Sequence, residues 1–179
     1  MKTLFIILAG IIFFSCSSTK NQETPQAEKN EPPVQPVVAT TDDEEYSRST
    51  YNVNITKEEF LNDKNEILSI IAKLSEIMSN YDYEAWLPYI DKQSLEYWSN
   101  PINLKNASKR LPVKNQRLGN LNDYFRMIFV PSRKNRTVEE IRYISRDSVK
   151  AVEVRDETDI VYYNFVKING KWLVKIPYL

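Results

Sequence analysis

The chain has 179 residues, and its 24 basic side chains balance 24 acidic ones, so net charge gives no argument for nucleic acid as a partner. It contains no histidine, which excludes histidine-based triads, imidazole zinc ligands and histidine acid–base chemistry. Of the three glycines, Gly119 and Gly170 lie too far apart for a dinucleotide fingerprint or a phosphate-cradling loop; no cofactor and no metal are expected.

At the N terminus, Lys2 precedes an apolar run over residues 4–14 that is too short to span a bilayer and fits an export signal. Ser15 and the single cysteine, Cys16, follow at once, and then Ser17, Ser18, Thr19 and Lys20. This arrangement resembles a bacterial lipoprotein signal. The resemblance implies residues 1–15 as a signal peptide, a mature chain beginning at Cys16, and acylation of that thiol, which could form no internal disulfide. Several acyl chains, each buried methylene contributing about 0.8 kcal/mol, anchor a protein stably. The implied location is the cell envelope, periplasmic or surface-facing, at the outer membrane in a diderm cell. Three Asn-X-Ser/Thr triplets, at Asn54, Asn106 and Asn135, are read as chance matches in such a protein.

Pro25, Pro32, Pro33 and Pro36 stand among small polar residues with little to bury, which predicts a disordered tether over residues 16–50. As a flexible coil it would reach about 30 Å. The acidic run Asp42, Asp43, Glu44 and Glu45 ends it, as a solvating segment or as a partner for basic residues downstream. One folded domain is predicted over residues 51–179.

Thr56-Lys57-Glu58-Glu59 is a capping box, and Phe60, Ile67, Ile70, Ile71, Leu74, Ile77 and Met78 recur at helical spacing, so a helix is predicted over residues 57–79. Asp82 caps a short helix that Pro88 ends or bends, and a second short helix is predicted near residues 92–99. Residues 102–118 carry no decisive pattern. Asn120 caps a further helical segment containing Leu121, Tyr124, Phe125, Ile128 and Phe129, which Pro131 is expected to stop.

From Val138 the apolar period falls to two, predicting four antiparallel strands near residues 138–145, 148–155, 159–168 and 171–177. Asn169-Gly170 marks a type I′ hairpin turn. The fold class is therefore α+β: N-terminal helices packed on a curved antiparallel sheet of about four strands. This element order, with the stretch Asn80-Tyr81-Asp82-Tyr83-Glu84-Ala85-Trp86-Leu87-Pro88-Tyr89-Ile90 and the closing Gly170-Lys171-Trp172-Leu173-Val174, resembles the NTF2-like (cystatin-like) α+β superfamily. The resemblance implies a cone of sheet around the first helix. Some members use the cone as an active site, others only bind or scaffold, and many form homodimers through the exposed sheet face.

Two candidate sites follow. Trp86, Trp98, Phe125, Phe129, Tyr143, Tyr163, Phe165 and Trp172 could line a cavity for an apolar or aromatic ligand, or serve as the core. Lys105, Lys109, Arg110, Lys114, Arg117, Arg133, Lys134 and Arg136, with Arg126, form a basic block in which Asp123 is the lone acid. Such a block suits anionic lipid headgroups, envelope polysaccharide or an acidic protein rather than nucleic acid, since the export signal implies a chain outside the cytoplasm. An isomerase-like pairing of Asp82 or Asp123 with Tyr143, Tyr162 or Tyr163 is conceivable, but both acids stand at helix starts, where capping accounts for them. No catalytic residue is assigned. The reading is a membrane-anchored, noncatalytic binding or interaction module; the alternative is a small-molecule-binding or isomerase/dehydratase-like domain.

Overall fold

The computed structural model describes residues 41–113, 115–156 and 158–179; the signal run, Cys16 and most of the expected tether lie outside them. Helix α1 spans Thr41–Ser49, α2 Lys57–Asn80, α3 Tyr83–Trp86, α4 Lys92–Ser99 and α5 Pro101–Ser108, with a 3-10 turn at Leu87–Tyr89. Helices α6 (Leu121–Tyr124) and α7 (Val130–Arg133) are joined through one π-helical segment, Phe125–Phe129. Strands β1 (Glu140–Ser145), β2 (Ser148–Arg155), β3 (Thr158–Ile168) and β4 (Lys171–Lys175) form a curved, unclosed antiparallel meander in the order β1-β2-β3-β4. The α+β class expected from the sequence is the one observed.

Helix α2 begins where its capping box predicts. The Thr56 hydroxyl accepts from the Glu59 amide at 3.1 Å, and the Glu59 carboxylate accepts from the Thr56 amide at 2.9 Å, so two orphan donors are satisfied. At the other end Tyr81 takes a left-handed φ of 52°, and the Asp82 amide reaches back to the Ile77 carbonyl at 3.0 Å. That closure normally favours glycine. Here the Tyr81 ring sits beneath the Arg126 guanidinium and the Lys134 ammonium, at 5.8 and 5.1 Å.

The apolar stripe of α2, with Phe60, Ile67 and Leu74 fully buried, packs with the inward residues Ile141, Val149, Ala151, Phe165 and Val174 of the sheet. Truncating Phe60 to alanine would cost about 3–5 kcal/mol, the usual range for a filled aromatic position. The β3–β4 turn is as the sequence predicts, with φ of 50° at Asn169 and 77° at Gly170, the positive pair that a type I′ turn needs. Asp91 donates its amide to the Val174 carbonyl at 3.0 Å, and the Ile176 amide donates to the Ser94 hydroxyl at 2.9 Å. These bonds fasten β4 and the C-terminal segment to the start of α4.

Two segments depart from the sequence-based expectations. Residues 41–49, assigned to the tether, form α1: buried Glu45 accepts from the Ile141 amide at 2.9 Å and from the Lys64 ammonium at 2.5 Å, while the Tyr46 hydroxyl donates to the Ile55 carbonyl at 2.7 Å. Asp42 and Asp43 bond Lys64 and Lys57, so these acids of the run meet α2. Pro131 does not end its helix either. The widened π segment, in which the Val130 amide donates to the Phe125 carbonyl, carries the chain past a residue that has no amide hydrogen to give.

Candidate binding clefts

Helix α5 starts with Pro101 at its first position and Asn100 as cap, the Asn100 carboxamide accepting from the Ile102 amide at 2.9 Å. Lys105 and Lys109, four residues apart, share one face. The chain then reverses. Asn115 takes a φ of 67°, and buried Leu118 donates its amide to the Ser108 hydroxyl at 2.9 Å, drawing the loop back along the helix. A cleft of about 550 Å³ results, lined by Lys105, Ser108, Lys109, Asn115, Gln116, Arg117 and Leu118. Among the described residues no carboxylate lines it. Asp123 is engaged elsewhere, accepting from the Gly119 amide at 2.8 Å.

On the other side of α5 lies an apolar groove of about 620 Å³. Trp98, stacked on Tyr124 at 4.3 Å between centroids, lines it with Leu111, Met127, Ile128 and Pro131. Arg110 and Arg133 also line it. The Arg133 guanidinium lies 4.1 Å from the Phe129 ring centroid and 5.4 Å from that of Tyr163. Its Nε donates to the Tyr162 carbonyl at 3.0 Å and its Nη1 to the Ser132 hydroxyl at 2.9 Å. That carbonyl is available because Tyr162 is the unpaired residue of a bulge in β3: Ala151 faces Tyr163, and Val152 already faces Val161. Burial pulls the Arg133 pKa below its ordinary value and pushes the Tyr124 and Tyr163 phenols up to about 12.

A third, smaller cleft of about 230 Å³ opens beside α2, lined by residues including Glu59, Asp63, Arg146 and Lys167. Buried Asp63 accepts from the Tyr143 hydroxyl at 2.7 Å, from the Lys167 ammonium at 2.7 Å and from the Trp172 indole at 3.0 Å. Burial would raise its pKa, but the bonds from Lys167, Trp172 and Tyr143 outweigh that and hold it below the usual carboxylate range. The same burial and the Asp63 charge raise the Tyr143 phenol far above its ordinary value. A carboxylate so held is ionised at neutral pH and has little affinity for a proton.

The candidate rings separate into different settings. Trp86 packs on Phe125 and Phe129 at 5.1 and 5.0 Å, Phe129 meets Tyr163 at 6.5 Å, and Tyr163 meets Phe165 at 5.9 Å; all are buried in the core. Tyr143 and Trp172 join Asp63, and Trp98 borders the groove. The basic block divides similarly: Lys105, Lys109 and Arg117 share the cleft, Arg110 and Arg133 the groove, and Lys134 and Arg136 lie against the rings of Tyr81 and Tyr162. Lys114 lies outside the described residues. Asp82 caps α3, accepting from the Ala85 amide at 3.1 Å, and Tyr162 donates to Glu153 at 2.7 Å.

Asp63 is absent from the candidates that the sequence supplies, although a signal was present: it is an acid on the same helical stripe as Phe60 and Ile67. Among the described residues no helix is long and apolar enough to cross a membrane. No family model and no solved structure matches the chain. It is 33% identical over 120 residues to an uncharacterized lipoprotein of Treponema pallidum (strain Nichols), a match covering 67% of this chain and 64% of that protein's length.

Proposed function

We propose that this chain is a lipoprotein of the cell envelope, moored through acylated Cys16, whose NTF2-like domain is a noncatalytic binding module for an anionic envelope component or acidic protein partner. The observation that carries the binding reading is the cleft beside α5, where Lys105, Lys109 and Arg117 converge with Asn115 and Gln116 and, among the described residues, no carboxylate lines the walls. A concave surface of one sign focuses its field and raises the local concentration of counter-charged ligand. Similarity to a lipoprotein supports the anchor.

The noncatalytic part rests on Asp63. Paired with Tyr143 at 2.7 Å, it offers the carboxylate and phenol of an isomerase-like reading, yet the bonds from Lys167, Trp172 and Tyr143 lower its basicity. A general base near neutrality requires the opposite shift.

The test reverses Lys105, Lys109 and Arg117 to glutamate in the full-length protein and follows co-isolation with anionic envelope material at low salt. Loss of association with unchanged thermal stability is expected. Undiminished co-isolation refutes the assignment of the cleft.

A further inference from the structure

The groove on the opposite side of α5 carries a separate inference. Its lining combines aliphatic surface from Leu111, Met127, Ile128 and Pro131 with an aromatic wall, Trp98 on Tyr124. At about 620 Å³ it falls within the span of about 300–1,000 Å³ typical of small-molecule sites. Methionine at such a surface adapts to a flexible apolar chain.

The groove is also lined by two cations, Arg110 and Arg133, and by the last residue, Leu179. Among the described residues no carboxylate lies within ion-pair distance of Arg133, and its bonds go to neutral acceptors, the Tyr162 and Phe129 carbonyls and the Ser132 hydroxyl. Its Nη2 makes no hydrogen bond to protein among the described residues and stays open to an incoming acceptor. Partial desolvation disfavours a cation, and here the Phe129 and Tyr163 rings offset part of that cost. A guanidinium with a free edge beside an aliphatic groove matches an anionic head joined to an apolar chain.

We propose that this groove binds a long-chain fatty carboxylate, its alkyl chain against Leu111, Met127, Ile128 and Pro131 and its carboxylate on the free edge of Arg133. The basic cleft of the proposed function is not required for this site, so the two assignments fail separately.

The test titrates the Cys16→Ser chain without residues 1–15 with cis-parinarate, read by the probe's own fluorescence, and then competes it with hexadecanoate, hexadecanol or a palmitoyl lysophospholipid below their micelle concentrations. Saturable binding is expected, with hexadecanoate displacing the probe about tenfold better than hexadecanol, a difference of about 1.4 kcal/mol. Arg133→Met should weaken hexadecanoate about tenfold and leave hexadecanol unchanged, with Arg133→Lys restoring part of the loss. If Arg133→Met does not fold, judged by near-ultraviolet circular dichroism, Met127→Trp decides: it fills the groove, leaves the guanidinium in place and should abolish binding. Absence of saturable binding, equal displacement by acid and alcohol, or binding unaffected by Met127→Trp overturns the proposal. Tighter binding of the lysophospholipid overturns the choice of a carboxylate head.

Discussion

Tyr143→Phe deletes one hydroxyl and changes nothing else in shape, so it isolates the bond from Tyr143 to Asp63. That bond is 2.7 Å long and joins a buried phenol to an ionised carboxylate. Hydrogen bonds to charged groups contribute about 1.5–3 kcal/mol, and Asp63 keeps Lys167 and Trp172 as donors, so the loss should stay within that range. For a domain of this size each kcal/mol moves the melting temperature by about 3–5 °C, giving an expected fall of about 5–15 °C by calorimetry at neutral pH. The deficit should also depend on pH. Asp63 has a lowered folded-state pKa, so the unfolded chain binds the extra proton in acid and stability rises with pH there. Its contribution is complete above the unfolded value of about 3.9 and is lost as pH falls through the lower folded value. The gap between wild type and Tyr143→Phe should therefore close in acid as Asp63 takes up its proton. A melting temperature within 2 °C of wild type at neutral pH, by the same scale, or a gap that widens in acid, would refute this account of the cluster.

Three further outcomes follow. Glu45→Ala removes the carboxylate joining α1 to the Ile141 amide and Lys64; it should cost about 1.5–3 kcal/mol and speed hydrogen exchange in residues 41–49 well before the sheet, whereas uniform exchange would contradict local fastening. Gly170→Ala places a methyl where nothing lies within 4 Å but φ is 77°, so a backbone penalty of about 1–2 kcal/mol should lower the urea midpoint without altering the slope. Cys16→Ser should abolish palmitate labelling and detergent-phase partitioning in the producing cell; retained labelling would remove the anchor from the account.

The parts legible in the sequence are those fixed by local chemistry. Thr56 and Glu59 announce the start of α2 because both halves of a capping box lie within four residues, and Asn169-Gly170 announces its turn because few side chains tolerate the required φ. Helix α1 was not legible: it has little apolar face, and its stability comes from Glu45 and Tyr46 reaching residues distant in the chain. Pro131 misled for a related reason, since the widened turn that admits it is settled by the packing of Phe125 and Phe129. Among the site residues, the pairing of Lys105 with Lys109 could be read from helical spacing, but the return of Arg117 depends on Leu118 and Ser108. Arg133 counted as one more surface cation until the bulge at Tyr162 exposed a carbonyl for it.

The most direct test of the binding-module account is the salt dependence of the affinity of the Cys16→Ser chain without residues 1–15 for vesicles of phosphatidylglycerol in phosphatidylcholine. The account predicts binding that weakens steeply as salt shortens the screening length, disappears when Lys105, Lys109 and Arg117 are reversed, and is absent on phosphatidylcholine alone. Equal affinity for charged and neutral vesicles, or affinity indifferent to salt and to the three reversals, would contradict it.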